Sequence, residues 1–171
     1  TYKVYVHYAG DVIPNADFTE WDTPYYNASR GAIKPKSWNV PADADDSCTS
    51  LGTDYTGSEI QKTSESIVGI KTDKYSRLGW LGSIIPAFIT LGEVTGSLEV
   101  SAGTHFEVNG GIKFRNTPDI ATINYNLESK KGDGTLFAFR FFEGNTEINC
   151  DYLATSKTSG YIDYEHKLNN V

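Results

Sequence analysis

Alternation of apolar and polar residues predicts several β-strands in this chain. Residues 2–8 alternate aromatic or β-branched side chains with polar ones, the period-two pattern of a strand with one buried face. Comparable runs occur at residues 65–72, 94–100, 120–127, 136–142 and 161–166. No capped apolar pattern of period 3.6 persists for three turns, so helices are not expected. The pattern therefore predicts an all-β protein.

The strongest predicted pairing joins residues 120–127 to residues 136–142. A Gly-Asp-Gly sequence lies between the two runs, and glycine supplies the positive φ angles of tight turns. We expect an antiparallel hairpin in which Phe137, Phe139 and Phe141 share one face. Apolar residues also occupy the other face of this strand, so we expect burial on both sides.

Two segments lack a clear strand pattern. Residues 11–56 contain four prolines among many polar turn-forming residues, which predicts a long loop with short strands near Trp21 and Trp38. Loops of this length are usually functional or anchored by a ligand. Residues 79–89 are apolar but interrupted by glycine and proline, which predicts a buried connection.

The length of 171 residues suits one domain, and we expect residues 1–171 to form a single antiparallel β-sandwich or jelly roll. Cys48 and Cys150 are the only cysteines, too few for a zinc ribbon. They form either one long-range disulfide or two buried thiols.

The net charge and the hydropathy of the chain argue against two kinds of partner, nucleic acid and the membrane interior. The formal net charge of −7 repels phosphate backbones and anionic lipid headgroups, so nucleic acid is not an expected partner. No stretch approaches the roughly 20 apolar residues of a membrane helix, so no membrane span is expected.

Several short segments follow one another in a characteristic order: the Trp38-containing segment at residues 38–41, the strand at 66–72, the segments at 88–97 and 110–119, the strand containing Tyr125 and the Gly-Asp-Gly turn at 132–134. In this order they resemble the carbohydrate metabolism domain family of Bacteroidetes surface proteins. The resemblance covers roughly residues 38–142 and implies a jelly roll, a secreted or outer-surface location and a connection with carbohydrate.

The resemblance carries no catalytic residue set onto this chain. Members of the family continue through further strands, so the C-terminal strands of the sandwich are expected to be missing, shortened or replaced by the strand that begins at Tyr2. A surface location would bring other surface proteins within reach as partners, and a lipid anchor would lie in a segment outside this sequence.

A glycan platform is expected in the long loop, because aromatic faces stack on pyranose rings while charged and amide groups bind the hydroxyls. The candidate ligand-binding residues are Trp21, Tyr25, Tyr26, Arg30 and Trp38. For Trp38 the alternative is a place in the sandwich core.

Asp43, Asp45 and Asp46 offer carboxylate oxygens of the kind that bind Ca²⁺, and a structural Ca²⁺ that pins the loop is one interpretation. The spacing lacks the glycine and distal glutamate of an EF-hand loop. A solvated acidic turn is the alternative.

Three functions follow from these residues. The leading prediction is a non-catalytic glycan-binding module. A glycoside hydrolase would need two carboxylates, for which Glu99 and Glu107 on neighbouring strands are candidates. A structural or adhesive subunit of a surface assembly would instead expose a long strand edge to a partner strand.

Overall fold

The structure, a computed structural model, describes residues 2–5, 7–8, 11–22, 33–44, 60–77, 81–99, 103–115, 118–128 and 134–168. Regular structure in these ranges is β-strand, apart from a short 3-10 helix at Pro41–Asp43. The predicted all-β class is confirmed.

The chain divides into two compact units. The terminal unit comprises Thr1–Asp17 and Lys113–Val171, and the central unit comprises Phe18–Ile112. The single β-sandwich domain stays a prediction. In the described ranges no helix has the length and apolar character needed to cross a membrane.

The described strands, in chain order, are β1 (Tyr2–Tyr5), β2 (His7–Tyr8), β3 (Asp11–Val12), β4 (Trp21–Asp22), β5 (Lys34–Pro35), β6 (Ile60–Ser64), β7 (Ile67–Ile70), β8 (Asp73–Arg77), β9 (Leu81–Ile85), β10 (Glu93–Glu99), β11 (Gly103–Asn109), β12 (Ile120–Tyr125), β13 (Thr135–Glu143), β14 (Thr146–Thr155) and β15 (Ile162–Lys167).

In the terminal unit, β12 pairs antiparallel with β1 on one side and with β15 on the other. Because both edges of β12 are occupied, β13 has no edge of β12 to join, and the predicted hairpin between residues 120–127 and 136–142 is wrong. β13 pairs with β14 instead, through a two-residue connection at Gly144 and Asn145. Gly144 has a φ of 60°, the positive value that such turns require.

The two sheets of the terminal unit contact each other through aromatic side chains. The rings of Tyr125 on β12 and Phe137 on β13 have centroids 5.7 Å apart, and Phe139 stacks on His166 of β15 at 5.5 Å. Phe137, Phe139 and Phe141 share one half-buried face of β13, as predicted. Leu136 on the opposite face is 58% exposed, so the prediction of burial on both sides is wrong.

The central unit contains antiparallel pairs of strands that are consecutive in the chain: β4 with β5, β6 with β7, β8 with β9 and β10 with β11. The expected strand at residues 94–100 is confirmed as β10. A turn at residues 65–66 confines the strand expected at 65–72 to β7. The predicted connection at 79–89 is wrong over the length of β9, where the apolar run forms a strand against β8.

The segment at residues 33–44 is anchored within the central unit by both its core and its backbone. Phe18 and Val40 are buried, and the Phe18 ring centroid lies 5.4 Å from that of Trp38. Asn39 exchanges two backbone hydrogen bonds with Thr90, of 2.7 and 2.9 Å. The Asn39 side-chain amide also donates a hydrogen bond to the Gly92 backbone carbonyl, with Nδ2 2.8 Å from the oxygen. These bonds hold the segment beside the start of β10.

Candidate functional site

Trp21 lies on β4, opposite Pro35 of β5, with its side chain half-buried. The indole Nε1–H donates to the Phe18 carbonyl at 2.7 Å, which fixes the orientation of the ring. The Lys62 ammonium lies 5.9 Å from the ring centroid, within the range of a cation–π contact. The structure therefore presents an oriented aromatic ring beside a cation.

Charged groups flank this tryptophan along the chain and across the strand pair. The Glu20 carboxylate accepts a hydrogen bond of 2.7 Å from the Lys36 ammonium, and both side chains are exposed. The hydrogen bond with Glu20, followed by the charge of that carboxylate, raises the pKa of Lys36 above its ordinary value, so the ammonium form persists. We call Glu20, Trp21, Lys36 and Lys62 the Trp21 site.

Trp38, the second tryptophan of the predicted platform, is only 6% exposed and packs on Phe18. This burial agrees with the alternative that Trp38 belongs to a core, here that of the central unit. Tyr25, Tyr26 and Arg30 lie outside the described residues, so their part in a platform stays a prediction.

Asp43, the one described member of the predicted calcium set, is engaged by protein donors. Its Oδ1 accepts a hydrogen bond from the Lys34 ammonium at 2.6 Å, and its Oδ2 accepts one from the Val40 backbone N–H at 2.8 Å. Asp45 and Asp46 lie outside the described residues. Within the described part of the chain no three metal-binding side chains of the His, Cys, Asp and Glu type form a group. A structural Ca²⁺ stays a prediction.

The candidate carboxylate pair for hydrolysis is widely spaced along its sheet. Glu107 on β11 is opposite Thr95, whereas Glu99 lies at the far end of β10, opposite Gly103. Four residues of strand correspond to about 13 Å between these backbone positions, at about 3.3 Å per residue. The carboxyl groups of glycosidases are about 5–10 Å apart. The exposed Glu107 side chain instead lies 3.4 Å from His105 Nε2.

A second polar site, in the terminal unit, was missed in the sequence. His166 Nε2 lies 3.2 Å from Asp151 Oδ2, and these two side chains are 14% and 15% exposed. The rings of Phe139 and Tyr164 stack on the imidazole at interplanar angles of 14° and 24°. The Gly144-Asn145 turn and the alternation that follows it could have indicated β14, but the pairing of Asp151 with His166 depends on the fold.

We call the opposite surface of β13 and β14 the outer hairpin face; it carries the exposed side chains of Leu136, Arg140, Ile148 and Tyr152 and the half-buried Cys150. The Arg140 guanidinium donates to the Glu147 carboxylate, with Nε 2.8 Å from Oε2. Tyr152 is 54% exposed, and its pKa is raised by a side-chain hydrogen bond with Cys150 and by electrostatic interaction with the same residue. Cys150 is a free thiol, and Cys48, its partner in the disulfide alternative, lies outside the described residues.

Comparison with known proteins gives no relative: no protein-family model, curated protein or solved structure matches this chain. The resemblance to the carbohydrate metabolism domain family of Bacteroidetes surface proteins stays a prediction.

Proposed function

We propose that this protein is a non-catalytic glycan-binding module of the β-sandwich or jelly-roll type, located outside the cell or on its outer surface. The observation that carries the proposal is the geometry of Trp21. Its indole N–H is bonded to the Phe18 carbonyl, while the ring remains half-exposed beside charged side chains.

An oriented ring suits the recognition of sugars. Stacking on a pyranose requires a flat apolar face, and a ring that is already fixed loses little conformational freedom on binding. Lys36 and Lys62 can donate hydrogen bonds to sugar hydroxyls, and the exposed Glu20 carboxylate can accept them. The Trp21 site therefore combines an apolar face with both kinds of polar partner.

The sandwich component of the proposal is supported by the terminal unit. There, the sheet of β1, β12 and β15 contacts the β13–β14 hairpin through the Tyr125–Phe137 and Phe139–His166 pairs. Two β-layers joined by inward-facing side chains are the basic arrangement of a sandwich.

We favour glycan binding over hydrolysis because the partly buried carboxylates already interact with basic side chains. Asp43 is paired with Lys34, and Asp151 lies against His166. Glycoside hydrolysis requires two carboxyl groups that converge on one bond. The candidate pair Glu99 and Glu107 lies about 13 Å apart along the strand direction, beyond the range of about 5–10 Å in glycosidases.

The experiment measures the binding of wild type and three variants to a glycan array and then, by calorimetry, to the best ligand. Trp21→Ala is expected to weaken binding at least about tenfold, equivalent to about 1.4 kcal/mol. Trp21→Phe keeps an aromatic face and should retain part of the affinity. Trp38→Phe is the matched control, because it alters a buried tryptophan and should lower the melting temperature without removing the platform.

Two results would overturn this proposal. The first is wild-type affinity in a folded Trp21→Ala variant. The second is turnover of the bound glycan that persists in Trp21→Ala and is lost when one carboxylate is replaced, which would make the protein a hydrolase. A Tyr152→Ala variant in the same assay tests the outer hairpin face as an alternative location for the platform.

A further inference from the structure

The strand β14 is the longest described strand, with ten residues, and it lies in a two-stranded sheet. Among the described strands it pairs with β13 alone. The second edge of such a strand carries backbone N–H and C=O groups that can template pairing with another chain.

Two side chains of β14 occupy backbone donors of this strand. Asn149 Oδ1 accepts the N–H of Cys150 at 2.8 Å, and Asp151 Oδ1 accepts the N–H of Tyr152, also at 2.8 Å. N–H groups two residues apart in a strand point to the same edge. Both donors therefore belong to one edge, and both bond to the side chain that precedes them.

The Asp151 carboxylate is held in place from its other side. While Oδ1 accepts the Tyr152 N–H, Oδ2 lies 3.2 Å from His166 Nε2, and the Asp151 side chain is mostly buried. A carboxylate fixed at both oxygens has little freedom to swing away from the strand. The capping bond to Tyr152 is therefore a stable feature of this edge.

We infer that Asn149 and Asp151, which we call the guards, prevent the edge of β14 from pairing with β14 of a second copy of the chain. Capped N–H groups are not available to a new strand until their side-chain bonds break. Antiparallel pairing of two β14 strands would also join the exposed Ile148 and Tyr152 side chains of the two copies into one apolar surface. Without the guards, this edge would therefore favour self-association of the protein.

Electrostatic repulsion adds to this protection at low ionic strength. Each copy carries a formal net charge of −7, which opposes association of like molecules. Salt screens that repulsion. The guards should therefore matter most at high salt.

The experiment compares two double variants by sedimentation velocity, with reductant present to prevent disulfides through Cys150. Asn149→Ala/Asp151→Ala removes both capping oxygens. Asn149→Asp/Asp151→Asn exchanges the two residues, so each position keeps an acceptor oxygen and the net charge is unchanged. Over a concentration range of about a hundredfold, we expect the alanine variant to form a species that contains at least one more copy of the chain than the wild-type species does. The exchanged variant should sediment as wild type does.

Two additional measurements separate the guards from the contact with His166. Asn149→Ala alone leaves that contact intact, and it should still speed amide hydrogen exchange at Cys150 in dilute protein. His166→Gln loosens the contact but leaves both capping oxygens, so it should promote association less than the double alanine variant does. The inference is overturned if the folded double alanine variant keeps the wild-type mass at high salt, or if the exchanged variant associates equally. If the double alanine variant does not fold, an unchanged exchange rate at Cys150 in Asn149→Ala decides against the guards.

Discussion

Phe139 and Leu136 lie on opposite faces of β13, in different surroundings. The Phe139 ring is half-buried and stacks on the His166 imidazole, whereas the Leu136 side chain is 58% exposed. The alternation of residues 136–142 was sufficient to predict which side chains share a face, since this property is local. It was not sufficient to predict which face is covered, because the cover comes from β12 and β15.

These surroundings predict unequal effects of truncation. Phe139→Ala should lower the free energy of unfolding by about 2–3 kcal/mol, below the range of about 3–5 kcal/mol for a fully buried aromatic ring. Leu136→Ala should change it by less than about 0.5 kcal/mol, as is usual for surface positions. Urea denaturation of both variants gives the comparison. Equal losses would contradict the burial of the two faces.

For the candidate site too, some residue features could be predicted from the sequence and others could not. Trp21 could be selected from the sequence because charged residues precede and follow it. Its anchoring by the Phe18 carbonyl and the approach of Lys62 required the structure, since Lys62 is distant in sequence. The sequence left two interpretations for Trp38, and packing on Phe18 favours the core.

At the scale of elements, strand positions were easier to predict than strand partners. Periodicity identified both β12 and β13, but the partner of a strand depends on which edges other strands occupy. β1 and β15 take both edges of β12, and neither is adjacent to it in sequence. β14 follows β13 directly, but the Gly-Asp-Gly sequence upstream of β13 indicated a hairpin with β12 instead.

The β13–β14 turn provides a test of this pairing. Gly144 has a φ of 60°, which is unfavourable for a residue with a Cβ. Gly144→Ala should therefore cost about 1–2 kcal/mol in thermal or urea unfolding. Gly144→Asn is the matched control and should cost less, because asparagine tolerates the left-handed region. Equal stability of the alanine variant and wild type would argue against this turn.

For the whole molecule, the strongest physical expectation concerns charge. With a formal net charge of −7, the protein should pass through a heparin column at physiological ionic strength without retention. A basic protein of similar size serves as the positive control. Retention that weakens with rising salt would reveal a local basic surface and reopen the question of polyanionic partners.

The all-β class could be predicted at this scale because a period-two pattern recurs from one end of the chain to the other. The composition of the two units could not. The terminal unit brings together residues that are far apart in sequence. The pairing of Tyr2 with Tyr125 could not be predicted, because the sequence of neither strand identifies its partner.

That pairing has a consequence for biosynthesis. β1 is made at the beginning of the described chain, but its hydrogen bonds with β12 can form only after Tyr125 has been synthesised. At about 5–20 residues per second, the roughly 120 residues between the two strands take about 6–25 s to translate. The whole central unit is made during that interval. The order of synthesis therefore allows the central unit to fold first and makes the β1–β12 pairing a late event in folding.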